Sequence, residues 1–100
     1  MSGFAITWSK GFHVTFENGV TVSVQFGGGN YCQNRYKPYD TKDAMSPDAE
    51  IAIWDRDHNW ITRQFMDKGD DVLGYLSPAD VLKAMNWAAA YDADGKEAIP

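Results

Sequence analysis

"FHVTFENGVTVSVQF", residues 12–26, decides the fold. Phe12, Val14 and Phe16 alternate with His13 and Thr15, and Val20, Val22, Val24 and Phe26 alternate with Thr21, Ser23 and Gln25. A side-chain period of two marks half-buried β-strands. Two registers compete at the turn. A two-residue Asn18-Gly19 turn pairs Phe16 with Thr21 and Val14 with Ser23, which sets apolar groups opposite polar ones. A three-residue loop, Glu17-Asn18-Gly19, pairs Phe16 with Val20, Val14 with Val22 and Phe12 with Val24. The large apolar groups then share one face, and Gly19 takes the left-handed position of a bulged turn. The second register is the one expected.

Outward from this hairpin, "FAITWS" (residues 4–9) reads as a preceding strand. Downstream, "AEIAIWD" (residues 49–55) and "WITRQF" (residues 60–65) read as a second hairpin, with Asn59 as the left-handed turn residue. "VLGYL" (residues 72–76) is a short strand leading into a helix. Ser77 is placed as its N-cap, Pro78 at its first position and Asp80 in its first turn. The helix is expected to run to about Tyr91 and to bury Val81, Leu82, Met85, Ala88 and Ala89. Strands followed by one helix give an α+β fold. The expected form is a mostly antiparallel sheet of about five to six strands with one C-terminal helix on one face. Residues 1–91 make one domain and residues 92–100 a polar tail.

The chain has 100 residues, a formal charge of −5 and 44% apolar content, enough for one modest core. The acidic balance argues against direct binding of nucleic acid, which requires a surplus of Lys and Arg on one face. The start, "MSGFAITWSKGF", lacks a basic segment followed by an apolar run, so no signal peptide is expected. No stretch approaches the roughly 18 apolar residues of a membrane span. Cys32 is the one cysteine, so no intrachain disulfide can form. The expected compartment is the cytoplasm.

Gly27-Gly28-Gly29 ends the strand pattern and is followed by Asn30, Tyr31, Cys32, Gln33, Asn34, Arg35 and Tyr36. A dinucleotide fingerprint fails because Cys32 stands where the third glycine belongs and no helix follows. A P-loop fails because no Gly-Lys-Ser/Thr follows. Two readings remain. The glycines are a sharp exit from a sheet edge, or residues 27–36 are a recognition loop. In the second, Gly27, Gly28 and Gly29 set a close backbone path, and Asn30, Tyr31, Asn34, Arg35 and Tyr36 supply contacts.

Other candidates are weaker. Cys32 could act as a nucleophile with His13 or His58 as base, although lone cysteines are more often buried apolar groups. "DRDHN" (residues 55–59) begins like a calcium loop but continues with Trp60 and Met66 where Gly and Glu are required. No metal and no cofactor is expected. Trp87 and Tyr91, four apart on the helix, suggest an exposed patch for a partner or a second copy.

"VQFGGGNYCQNR", "AEIAIWDRDHNWIT" and "DDVLGYLSPADVLKAMNWAA" together resemble small accessory proteins of tailed bacteriophages. The resemblance covers most of the chain and brings no active-site residues. It implies an accessory protein in a host cytoplasm that interferes with a bacterial defence or regulatory system. The expected function is a small acidic, non-enzymatic binding protein that occludes a protein partner. The alternatives are a binder of a small, nucleotide-like ligand, or a small Cys32-dependent enzyme.

Overall fold

The computed structural model describes residues 2–8, 10–41 and 44–92. The expected tail therefore lies, beyond Asp92, outside the described residues. Five strands form one sheet: β1 (Gly3–Thr7), β2 (Gly11–Thr15), β3 (Thr21–Gln25), β4 (Ala49–Trp54) and β5 (Val72–Leu76). Their spatial order is β1-β2-β3-β4-β5, and every neighbouring pair is antiparallel. One short helix, α1 (Thr62–Phe65), precedes β5, and the long helix α2 (Pro78–Ala89) follows it. The fold is α+β, as the sequence indicates.

The β2–β3 register is the three-residue one. Phe12 faces Val24 and Val14 faces Val22. Phe16 N–H donates to Val20 O at 2.9 Å and Gly19 N–H to Phe16 O at 2.8 Å. Gly19 has φ +83, and a Cβ there would meet Arg56 Cβ at 2.5 Å. Glycine is thus required twice, by the backbone and by its neighbour. Asn18 completes the turn by accepting from Val20 N–H, while its amide donates to Ala88 O at 2.9 Å and Tyr91 O at 3.0 Å. Ala88 O lies in the last turn of α2, where it also accepts from Tyr91 N–H at 3.2 Å, and Tyr91 O lies just past the helix end. One turn residue therefore ties the hairpin to the helix end.

α2 begins as expected: Ser77 Oγ accepts from Asp80 N–H and Pro78 occupies the first turn. Its buried stripe differs from the expected one. Ala84 and Ala88 are fully buried, Val81, Met85 and Trp87 are half-buried, and Leu82 and Ala89 are exposed. The helix sits on the sheet through its smallest residues, which rotates Leu82 outward. Trp87 and Tyr91 are also not an exposed patch. Trp87 packs against Phe65 and Tyr91 at centroid distances of 5.7 and 5.2 Å.

Residues 60–65 are not a strand. Trp60 makes a single bridge to Trp54, and the chain then turns into α1. Thr62 explains this. Its hydroxyl accepts from Ile53 N–H at 2.9 Å and donates to Ile53 O at 3.2 Å, where β5 no longer reaches β4. A side chain thus replaces the missing strand partner. In the turn before it, His58 rather than Asn59 has positive φ, +64. Asp55 fixes that turn by accepting from the N–H groups of Asp57 and Asn59 and from the Asn59 amide.

The two faces of the sheet differ. Val22, Val24, Ile51, Ile53 and Leu73 join the α2 alanines in the core. The opposite face is polar and aromatic. Thr15 and Thr21 share a hydrogen bond of 2.8 Å, and His13 and Trp60 both sit edge-on to Trp54. Burial lowers the His13 pKa. Among the described residues no helix is long and apolar enough to cross a membrane.

Candidate functional site

The glycine-rich segment leaves β3 and folds into consecutive turns that a small number of side chains fasten down. Asn34 is central. It is almost fully buried, and its amide donates to Phe26 O at 2.8 Å and Met45 O at 3.1 Å. It holds the two ends of the loop together and offers no contact surface to a partner. Asn30 has a similar task. Its side-chain oxygen accepts from Gly27 N–H, and its amide donates to Glu50 Oε1. Glu50 Oε2 accepts from Tyr31 N–H at 2.9 Å, and Asp48 Oδ1 accepts from Gln33 N–H at 2.7 Å. Tyr31 O in turn accepts from Tyr75 N–H on β5.

The glycines set the backbone path. Gly28 lies against the carbonyls of Lys37 and Pro38, and Gly29, at φ +87, lies against the Tyr39 ring. A Cβ would collide at either position. A phosphate cradle must aim free N–H groups at the anion. Here the N–H groups of Gly27, Gly29, Asn30, Tyr31, Cys32, Gln33, Arg35 and Lys37 all donate within the protein. Cys32 is buried, and its thiol donates to Gly27 O at 3.6 Å. The histidines proposed as its base lie on the other hairpin elements: His13 is held edge-on to Trp54, and His58 is in the 55–59 turn.

What the fastened loop presents outward is a cation on aromatic rings. The Arg35 guanidinium lies 4.2 Å from the Tyr31 ring centroid and 5.7 Å from that of Tyr36. Tyr31 is exposed and Tyr36 is 93% exposed. Beside them Lys10 Nζ stands 4.3 Å over the exposed Tyr39 ring. Lys37 is exposed next to Tyr36. The ion pairs among the described residues are Arg63–Asp71 and Lys83–Asp80, so Arg35 has no carboxylate partner there. The structure therefore divides the expected site residues into two sets. Gly27, Gly28, Gly29, Asn30 and Asn34 build the loop, and Tyr31, Arg35 and Tyr36 form its surface.

Sequence reasoning missed two features. One is the pair of acidic tethers, Asp48 and Glu50. The alternation of β4 carried a signal for Glu50, because it lies on the face opposite Ile51 and pairs with Gln25. The other is an open groove of about 460 Å³ on the helix side of the sheet, lined by Phe12, Val24, Phe26, Met45, Leu82 and Met85. Leu82, expected in the core, is exposed along this groove.

No protein-family model, curated protein or solved structure matches the chain.

Proposed function

We propose that the protein is a non-enzymatic binding protein that docks its Tyr31–Arg35–Tyr36 surface onto an acidic patch of a protein partner and occludes it. One observation carries this reading. In a chain with 14 acidic and 9 basic residues, Arg35 has no carboxylate partner among the described residues and is instead stacked on exposed tyrosines. Tyr and Arg are the residue types that dominate binding energy, because they combine apolar area with directional hydrogen bonds. The tethers to Asp48, Glu50 and Tyr75 hold the loop in place beforehand, which reduces the ordering cost of association. The resemblance to phage accessory proteins implies a bacterial host protein as that partner.

The test compares capture of a host protein by the parent chain and by Tyr31→Ala and Arg35→Ala, followed by calorimetric titration of the captured protein. Each variant should bind more weakly by about 1–3 kcal/mol with little change in melting temperature. Parent-like binding by both variants would remove the loop from the interface.

A second reading is a binder of a small apolar ligand. The groove beside α2 favours it, since its volume falls within the range of ligand sites. Native mass spectrometry of protein purified from its host would show the bound mass.

A further inference from the structure

The two edges of the sheet are built differently. A free strand edge is a template for pairing with another strand, and proteins usually blunt it with charge, proline or a bulge. The β5 edge has such devices. Its register against β4 shifts between Ala49 and Ile51, Tyr75 takes φ +59, and Tyr31 O occupies Tyr75 N–H. Asp70 and Asp71 precede the strand. The β1 edge lacks charge, proline and a register shift: Gly3-Phe4-Ala5-Ile6-Thr7 pairs with β2 in an unbroken register, and its one positive-φ residue, Gly3 at +150, stands at the strand's first position.

The face of β1 is also uncovered. Phe4 pairs with Val14 and Ile6 with Phe12, so both continue the core face of the sheet. They are nevertheless 83% and 88% exposed, and Trp8 at the end of the strand is 90% exposed. The cause is width. A helix with its side chains is about 10–12 Å across, whereas five strands spaced about 4.8 Å apart span roughly 19 Å between the outer two. α2 packs over β3, β4 and β5, and no second helix lies over β1 among the described residues.

We propose that β1 pairs antiparallel with β1 of a second copy of this chain, about a two-fold axis near Ala5, to form a continuous ten-stranded sheet. In that register Phe4 lies opposite the second copy's Ile6, and the reverse. Directly opposed residues of a strand pair point to the same face, so all four apolar side chains meet on the helix side. The contact is isologous, with one patch matching itself. Side-by-side pairing buries the facing flanks of Phe4 and Ile6 and the free backbone groups of the β1 edge, while Trp8, opposite the second copy's Ser2, stays at the rim. No charge lies within residues 2–8, so no like charges are set opposite one another. This contact is independent of the Arg35 loop. That loop is tied to β5, so the dimer would carry its two loop surfaces at opposite ends of the sheet and could engage a repeated partner bivalently.

Sedimentation velocity of the full chain at micromolar concentrations tests the proposal. The parent should sediment at twice its 11.2 kDa mass. Ile6→Lys should shift the equilibrium toward monomer by roughly tenfold or more, because it leaves an unpaired charge in an apolar strand pair. Circular dichroism controls for folding. In the otherwise parental chain, Ala5→Cys should give a disulfide-linked dimer under mild oxidation, whereas the parent, with only the buried Cys32, should not. A monomeric parent would overturn the proposal, as would a dimer indifferent to Ile6→Lys, assemblies larger than a dimer, or a dimer in which Ala5→Cys does not cross-link. A monomer that instead binds a host protein, and loses it on Ile6→Lys, would assign the edge to a foreign strand.

Discussion

Replacing Glu50 by alanine removes both carboxylate oxygens that fasten the 27–36 loop to the sheet. Glu50 Oε2 accepts from Tyr31 N–H at 2.9 Å, and Oε1 accepts from the Asn30 amide at 3.2 Å. A hydrogen bond to a charged acceptor contributes about 1.5–3 kcal/mol net, and less where water can replace it. Both bonds lie near the surface, so the pair should contribute about 2 kcal/mol together. For a chain of this size that corresponds to a fall in melting temperature on the order of 10 °C. Glu50→Gln should cost about half as much, because an amide keeps one acceptor but turns an N–H₂ toward the other donor. Hydrogen exchange adds a local reading. Tyr31 N–H loses its acceptor directly, and Tyr75 N–H, which donates to Tyr31 O, loses protection as the loop detaches. If Glu50→Ala melts like the parent and both amides stay protected, the carboxylate is not the tether.

Other perturbations test separate parts of the structure. Thr62→Val keeps the shape of a fully buried side chain but strands Ile53 N–H without its acceptor, and should cost about 1–3 kcal/mol by urea denaturation. Thr62→Ser should recover most of that loss, and a valine variant as stable as the parent would refute the role given to the hydroxyl. Gly19→Val meets both positive φ and Arg56, and should destabilise by about 1 kcal/mol or more; an unchanged denaturation midpoint would count against it. Burial lowers the His13 pKa below its ordinary 6.5, so as pH falls the unfolded chain takes up the proton first. The stability from neutral His13 is present above about pH 6.5 and lost as pH drops through the lower folded-state value. His13→Phe should flatten that slope in denaturation series at stepped pH, and an unaltered slope would place the titration elsewhere.

Legibility followed the range of the interaction that decides each element. The β2–β3 register was readable because, of the two turns that Asn18-Gly19 allows, only the three-residue one puts Phe12, Val14, Val22 and Val24 opposite one another on a common face. The start of α2 was readable because Ser77 and Pro78 act within one turn. α1 was not readable. Ile61 and Phe65 are four apart, a spacing that suits a strand face and a helix face alike. The decision comes from Thr62 reaching Ile53, nine residues away. The loop repeats the lesson. Amides and aromatics in a row suggested a contact surface, and Tyr31, Arg35 and Tyr36 do lie there. Asn34 went inward because the carbonyls of Phe26 and Met45 needed a donor, and nothing local to Asn34 reveals that need.

Phe4 and Ile6 show a different limit. Alternation correctly assigns them to the core face of their strand, since Phe4 faces Val14 and Ile6 faces Phe12. It does not say whether anything covers that face. Strand count against helix count does. One helix about 10 Å wide shields two or three strands, and a sequence that specifies five strands with one long helix leaves at least one apolar edge bare. Where that bare edge falls depends on which strands the helix can reach. α2 follows β5 directly and is tied by Asn18 to the β2–β3 turn, so it lies across β3, β4 and β5. The strands left over are β1 and β2; β1 lies farthest from the helix in the sheet, so Phe4 and Ile6 stay exposed on it while Val14 of β2 is still buried.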